Sequence, residues 1–245
     1  MEHATAEKVF QDPEGADTLI ATYPSPTADT TTIQYLLTKD ETKVFTFYKD
    51  KNFFLVRNVT ADIPLFAANY PTPTQVTLPS AGVQCACFTD DYSAVFILDV
   101  SGNIHLYNVR YETFKTLGPS SYLAIKKCYY DPSKNGVVFV VDAPPTNGTT
   151  LELYSMITMA SAGSQFIPEE QFTIHFSSTH IAMDTGSNVK IYQVPGSPCP
   201  SRQYYDMTSN PSCLPCETGC GKCLNADICL SCSSGYSYNY TSDEC

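Results

Sequence analysis

Eight of the eleven cysteines lie in the last fifty of 245 residues, in the order Cys199-x13-Cys213-x2-Cys216-x3-Cys220-x2-Cys223-x5-Cys229-x2-Cys232-x12-Cys245. A segment this short cannot bury enough apolar surface to hold itself by packing, and cysteine at this density points to covalent staples instead. Disulfides persist in oxidising compartments, so the ladder predicts a protein that is extracellular or at the cell surface.

The cysteines also divide the chain. Residues 1–195 contain only Cys85, Cys87 and Cys128, and the change falls at Val194-Pro195-Gly196-Ser197-Pro198, where prolines and glycine disfavour a continuing strand or helix. Two domains are predicted, 1–195 and 196–245. They carry net charges of −8 and −3. Two acidic halves argue against nucleic acid or an anionic lipid surface as partner, since each needs a basic footprint. The longest apolar stretch, Gly136 to Val141, is strand-sized, far short of the roughly 20 residues of a bilayer helix. Met1-Glu2-His3-Ala4-Thr5 lacks the basic and apolar regions of a secretory signal. Because the cysteines demand export, the expectation is a piece of a longer precursor, with any anchor outside it.

Residues 1–195 read as short strands with an internal repeat. Alternating β-branched and aromatic runs recur, with no helical stripe. Tyr35 to Asp40 leads into Lys43 to Tyr48, a turn, and Phe53 to Arg57. Cys87 to Asp91 leads into Ala94 to Asp99, a turn, and Ile104 to Val109. Cys128 to Pro132 leads into Val137 to Asp142, a turn, and Leu151 to Tyr154. Ile174 to Ser178 leads into His180 to Asp184, a turn, and Val189 to Tyr192. Aligned on Val44, Val95, Val138 and Ile181, the units are spaced by 51, 43 and 43 residues. Three-strand units at this period resemble the blades of a β-propeller, whose small sheets leave both faces apolar until neighbours stack on them. The chain has no tryptophan and lacks the Gly-His and Trp-Asp signatures of the best-known blades. A β-sandwich is the alternative. The predicted class is all-β, a propeller-like domain followed by a disulfide-rich module.

The cluster Cys216-Glu217-Thr218-Gly219-Cys220-Gly221-Lys222-Cys223, with Cys229-Leu230-Ser231-Cys232-Ser233-Ser234-Gly235-Tyr236 and Cys245, resembles a furin-like cysteine-rich repeat. Such repeats occur in growth-factor receptors, proprotein convertases, R-spondins and protist surface antigens. The resemblance covers residues 199–245 and implies the pairs Cys216–Cys223, Cys220–Cys229 and Cys232–Cys245. The residues themselves supply the fourth. Cys199 to Cys213 and Cys232 to Cys245 are one element written twice, each a loop closed by its terminal cysteines, so Cys199–Cys213 is expected. The chain starts in one repeat and ends in the next, which suggests that more repeats follow in the precursor.

Zinc is the rival reading of three CxxC pairs. Zinc ribbons separate such pairs by about 12 to 20 residues, whereas the gaps here are 3 and 5, and no histidine follows His180. No metal or other cofactor is expected. Cys87 and Cys128 hold matching places in consecutive units and form one candidate pair; Cys85 is equally eligible as partner of Cys128, and simple burial is a third option. The odd total leaves one cysteine unpaired in the chain.

No nucleophile elbow, phosphate loop or HExxH motif occurs. His3, His105, His175 and His180 are scattered, and the five-residue spacing of the last two predicts opposite faces of a strand region. Asp90, Asp91, Asp99, Asp131, Asp142 and Asp184 recur near strand ends, where turn chemistry explains them better than calcium does. Three sequons, Asn58-Val59-Thr60, Asn147-Gly148-Thr149 and Asn239-Tyr240-Thr241, fall at loops or strand ends, as glycan acceptors must. The expected function is non-enzymatic: a structural or adhesive extracellular glycoprotein, a subunit of a larger assembly or filament formed with itself or another surface protein. The alternative is a receptor ectodomain that binds a protein or glycan ligand.

Overall fold

The computed structural model describes residues 6–10, 19–24, 32–40, 42–59, 72–80, 82–119, 125–142, 149–167, 173–176, 180–184, 188–193, 195–208, 211–242 and 244–245. The fold is all-β, with no helix among the described residues. Its contacts divide the chain into two compact units, Met1–Val83 and Gln84–Cys245.

The first unit holds β1 (Ala6–Phe10) paired antiparallel with β2 (Leu19–Pro24). It continues as a four-stranded meander of β3 (Thr32–Leu37), β4 (Lys43–Tyr48), β5 (Phe53–Asn58) and β6 (Thr74–Thr77). From Val44 to Tyr48 every β4 residue is buried, so both faces of this strand are covered. Phe47 meets Phe54 with ring centroids 5.3 Å apart. On the other face Arg57, 3% exposed, donates from Nη1 to Thr46 Oγ1 at 2.8 Å, which gives a buried cation a polar neighbour.

The second unit repeats the meander. β7 (Val83–Phe88), β8 (Ala94–Asp99), β9 (Asn103–Asn108) and β10 (Thr113–Pro119) form one four-stranded sheet. β11 (Ile125–Asp131), β12 (Gly136–Asp142), β13 (Thr149–Ser155) and β14 (Ala160–Ile167) form the next. β15 (Thr173–Phe176), β16 (His180–Asp184) and β17 (Val189–Gln193) form a three-stranded sheet. Two hairpins follow, β18 (Gln203–Asp206) with β19 (Ser212–Pro215), and β20 (Cys220–Asn225) with β21 (Ile228–Cys232).

The repeat in the sequence is therefore one sheet per unit. Val44, Val95, Val138 and Ile181 sit on β4, β8, β12 and β16, the second strand of four successive sheets. In three of them a fourth strand follows, β6, β10 or β14. No closed barrel or ring of blades is seen among the described residues.

Strand alternation decides the packing in the second unit. Val137, Phe139 and Val141 on β12 join Phe96 and Leu98 of β8 and Ile104 and Leu106 of β9 in one apolar cluster. Val140, between them on the opposite face, packs with Leu151, Ile167, Ile181 and Met183. Sheet β11–β14 thus has a neighbouring sheet on each face. The hairpin entering β12 is tight at Gly136, where a Cβ would stand 2.7 Å from both Leu153 Cδ1 and the Tyr154 carbonyl oxygen.

One turn design recurs between first and second strands. Asp40 Oδ1 accepts from the Thr42 amide at 3.2 Å, Asp91 Oδ1 from Ser93 at 3.1 Å, and Asp131 Oδ1 from Ser133 at 2.9 Å. Each also accepts from the hydroxyl of that second residue. A short carboxylate that closes its own turn is a stable substitute for a backbone turn bond.

Candidate functional site

The bridges are the first element of the site. Cys199 is joined to Cys213, Cys216 to Cys223, Cys220 to Cys229 and Cys232 to Cys245, with Cα separations of 5.5, 5.7, 5.8 and 5.3 Å. A fifth bridge joins Cys85 on β7 to Cys128 on β11, Cα to Cα 6.0 Å. Cys128 is thus bonded to Cys85, not to Cys87. Cys85 and Cys87 are two residues apart on one strand and share a face, so one bridge to Cys128 leaves the other thiol inside the apolar cluster. Burial pushes the Cys87 thiol well above its ordinary value, which makes it an inert core group.

The second element is the seat of the β20–β21 hairpin. Leu224, Ile228 and Leu230 belong to the same apolar cluster as Phe96 and Phe139, so the cysteine-rich hairpin and sheets β7–β10 and β11–β14 share a core. Each such side chain contributes about 1.5–3 kcal/mol by burial. Three asparagines bind the backbones together. Asn108 Nδ2 donates to the Leu230 carbonyl at 3.1 Å, and Asn225 Nδ2 donates to the Met156 carbonyl at 2.8 Å. Asn135 Nδ2 donates to the carbonyls of Leu224 at 2.5 Å and Tyr205 at 3.2 Å, while its Oδ1 accepts from the Tyr130 hydroxyl. All three are buried, where an unmade hydrogen bond is costly.

A partly exposed ion pair lies at the rim. Lys222 Nζ stands 2.7 Å from Asp91 Oδ2 and 3.2 Å from Asp90 Oδ1. Burial by itself would raise the Asp91 carboxyl, but the charge and hydrogen bond of Lys222, with the bonds from Ser93, hold it below the ordinary carboxylate value.

The third element is a groove of about 560 Å³ lined by Arg110, Tyr111, Tyr236, Tyr238, Tyr240 and the turn Cys232 to Gly235 with Ser237. Tyr111 and Tyr238 stack with centroids 4.0 Å apart and planes 6° from parallel. Tyr240 meets Tyr238 edge-on at 5.3 Å, and the Arg110 guanidinium lies 5.7 Å from the Tyr111 ring centroid. The Tyr111 hydroxyl accepts from the Cys232 amide at 2.9 Å, which ties the platform to the last bridge. At Gly219, with φ +92°, a Cβ would stand 2.7 Å from both the Cys245 carbonyl oxygen and the Tyr236 ring, so this loop closes only over glycine.

The other predicted residues are spread over the fold. His105 is fully buried between Asp99 and Thr116: Nε2 lies 3.0 Å from Asp99 Oδ2 and Nδ1 lies 2.9 Å from Thr116 Oγ1. Asp99 also accepts from the amides of Ser101 and Asn103 and from Asn103 Nδ2, so the group ties the β8–β9 turn to β10. His175 and His180 lie on neighbouring strands, β15 and β16, with His175 opposite Ala182. The one-strand argument for opposite faces therefore does not apply to them. His3 and Asn147 lie outside the described residues. Asn58 and Asn239 are exposed, and Asn239 Oδ1 accepts from the Thr241 amide at 2.9 Å. Among the described residues no three His, Cys, Asp or Glu side chains are grouped to hold a metal ion.

No protein-family model and no curated protein sequence matches the chain. The close cysteine pairs of its C-terminal region are compatible with a cysteine-rich module. Five bridges fit an oxidising environment, and no helix of the described residues is long and apolar enough to cross a membrane.

Proposed function

We propose that this chain is a non-enzymatic extracellular protein with a structural or adhesive role, a subunit of a larger assembly in which a propeller-like series of sheets continues into a furin-like cysteine-rich segment. The observation that carries the reading is β17. On the face of β17 turned away from Ile181 and Met183, Val189 and Ile191 are 60% and 67% exposed, although β12 of the preceding sheet is buried on both faces. In a series of stacked sheets the outer face of the last one is where a further sheet fits, and a second copy supplies one. Such a contact joins unlike surfaces and propagates into a filament unless its rotation closes. The five bridges support the extracellular setting, and exposed Asn58 and Asn239 are suited to carry glycans. The Asp99–His105–Thr116 group uses its polar atoms to hold a turn and two strands, which supports a structural role over a catalytic one.

The test is sedimentation velocity on the full, oxidised chain across a wide concentration range. Growth of the sedimentation coefficient with concentration is expected, suppressed by Val189→Lys with Ile191→Lys. A single concentration-independent species would contradict the assembly reading. The receptor alternative is favoured by the tyrosine groove, a surface suited to a ligand.

A further inference from the structure

The groove beside the last bridge joins features that turn packing does not require. Tyr236 and Tyr240 are 49% and 68% exposed, although tyrosine normally covers its ring when neighbours are available. Beneath them the stacked Tyr111–Tyr238 pair forms a fixed floor, held by the Tyr111 hydroxyl bond to the Cys232 amide and by the Cys232–Cys245 bridge. The groove volume of about 560 Å³ lies within the range of small-molecule sites. Among the described residues that line the groove Arg110 is the only charged one, in a chain whose net charge is −11.

These features select a class of ligand. Exposed tyrosine rings offer flat faces to the C–H face of a pyranose, and their hydroxyls, the exposed Ser234 and Ser237 and the guanidinium offer hydrogen bonds to its rim. An apolar peptide would leave those polar groups unpaired, at a cost for each one buried. Nucleic acid needs more than one cation. We propose that Arg110, Tyr236, Tyr238 and Tyr240 form a saccharide-binding groove, with Tyr236 and Tyr240 stacking on sugar rings and Arg110 reaching hydroxyls or an acidic substituent. The inference deepens the adhesive reading by naming its ligand class and rests on it only in that respect. Sedimentation reports assembly and sugar titration reports the groove, so a chain that assembles but takes no sugar keeps the first reading and loses the second.

The experiment titrates the full chain, oxidised and free of N-glycans, with chitotetraose, mannotetraose and a heparin-derived tetrasaccharide. It follows tyrosine fluorescence, which no tryptophan obscures, and NMR shifts. Saturable binding of at least one probe is expected, weakened about tenfold or more by Tyr240→Ala, in keeping with one lost aromatic contact. Tyr240→Phe should retain most of the binding. Arg110→Ala should weaken the heparin probe most if an acidic substituent is recognised, and the neutral probes equally if hydroxyls are. Both tyrosines are exposed, so the circular dichroism of Tyr236→Ala with Tyr240→Ala should match that of the parent. Absence of binding by all three probes, or binding unchanged in that double variant, would overturn the proposal.

Discussion

Within Gln84–Cys245 two ways of holding a chain together meet. Sheets β7–β10 and β11–β14 are held by apolar side chains that alternate toward one neighbour and then the other, with one bridge, Cys85–Cys128, inside the cluster. Residues 199–245 are held by four bridges, and most of their side chains are exposed or half-buried. The difference teaches that a covalent framework fixes a shape but does not by itself seat it. Leu224, Ile228 and Leu230, with Asn108, Asn135 and Asn225, do the seating, because they belong to the sheet core or bond to its turns. A segment stapled like an independent module is thus packed as part of the body beside it.

The comparison breaks most decisively at Leu230, which is fully buried. Leu230→Ala should cost about 2–5 kcal/mol, and denaturant unfolding should report that loss at the sheets as well as at the hairpin. Were the hairpin held by its bridges alone, probes on β8 and β12 would not change.

A smaller effect is expected at Asn135. Its replacement by alanine leaves the Leu224 and Tyr205 carbonyls and the Tyr130 hydroxyl without that partner, which predicts a loss of about 1–3 kcal/mol. The check is the denaturation midpoint at unchanged slope. Asn135 also has φ +47°, and glycine there should relieve backbone strain while still removing the clamp.

The smallest effect is at Lys222. The pair is about one-third exposed, so Lys222→Ala should cost no more than about 1 kcal/mol, and less in high salt. The folded-state value of Asp91 is depressed. Its contribution is therefore complete above the unfolded carboxylate value, about 3.9, and is lost as pH falls through the lower folded value. Stability of the parent should drop more steeply than that of Lys222→Ala across this acid range, as melting at stepped pH would show.

Which parts of this were legible in the sequence follows from where each signal resides. The second strands are visible because both faces are buried, which makes Ala94 to Leu98 and Val137 to Val141 continuous apolar runs. The fourth strands are not. β6 and β14 are largely exposed and β10 is at most half-buried, and sequences such as Thr74-Gln75-Val76-Thr77 or Ala160-Ser161-Ala162-Gly163 look like loops because packing does not select their residues. Asp91 and Asp131 are legible as turn formers because that chemistry is local, and Asp40, not among the aspartates singled out from the sequence, closes its turn in the same way. The asparagine clamps are not legible, since Asn108 and Leu230 are 122 residues apart and neither carries a mark of the other. The choice of Cys85 over Cys87 depends on which of two positions on the same face lies beside β11, which spacing alone leaves open.

The central claim is that the sheets and the cysteine-rich hairpin form one cooperative body, and native-state hydrogen exchange with all bridges intact tests it most directly. Amides of Phe96 and Phe139 in the sheets and of Leu224 and Leu230 in the hairpin are predicted to open with a common free energy, and to lose the same amount together in Leu230→Ala. A hairpin that opens at a distinctly lower free energy, with sheet amides unchanged by that substitution, would contradict the claim.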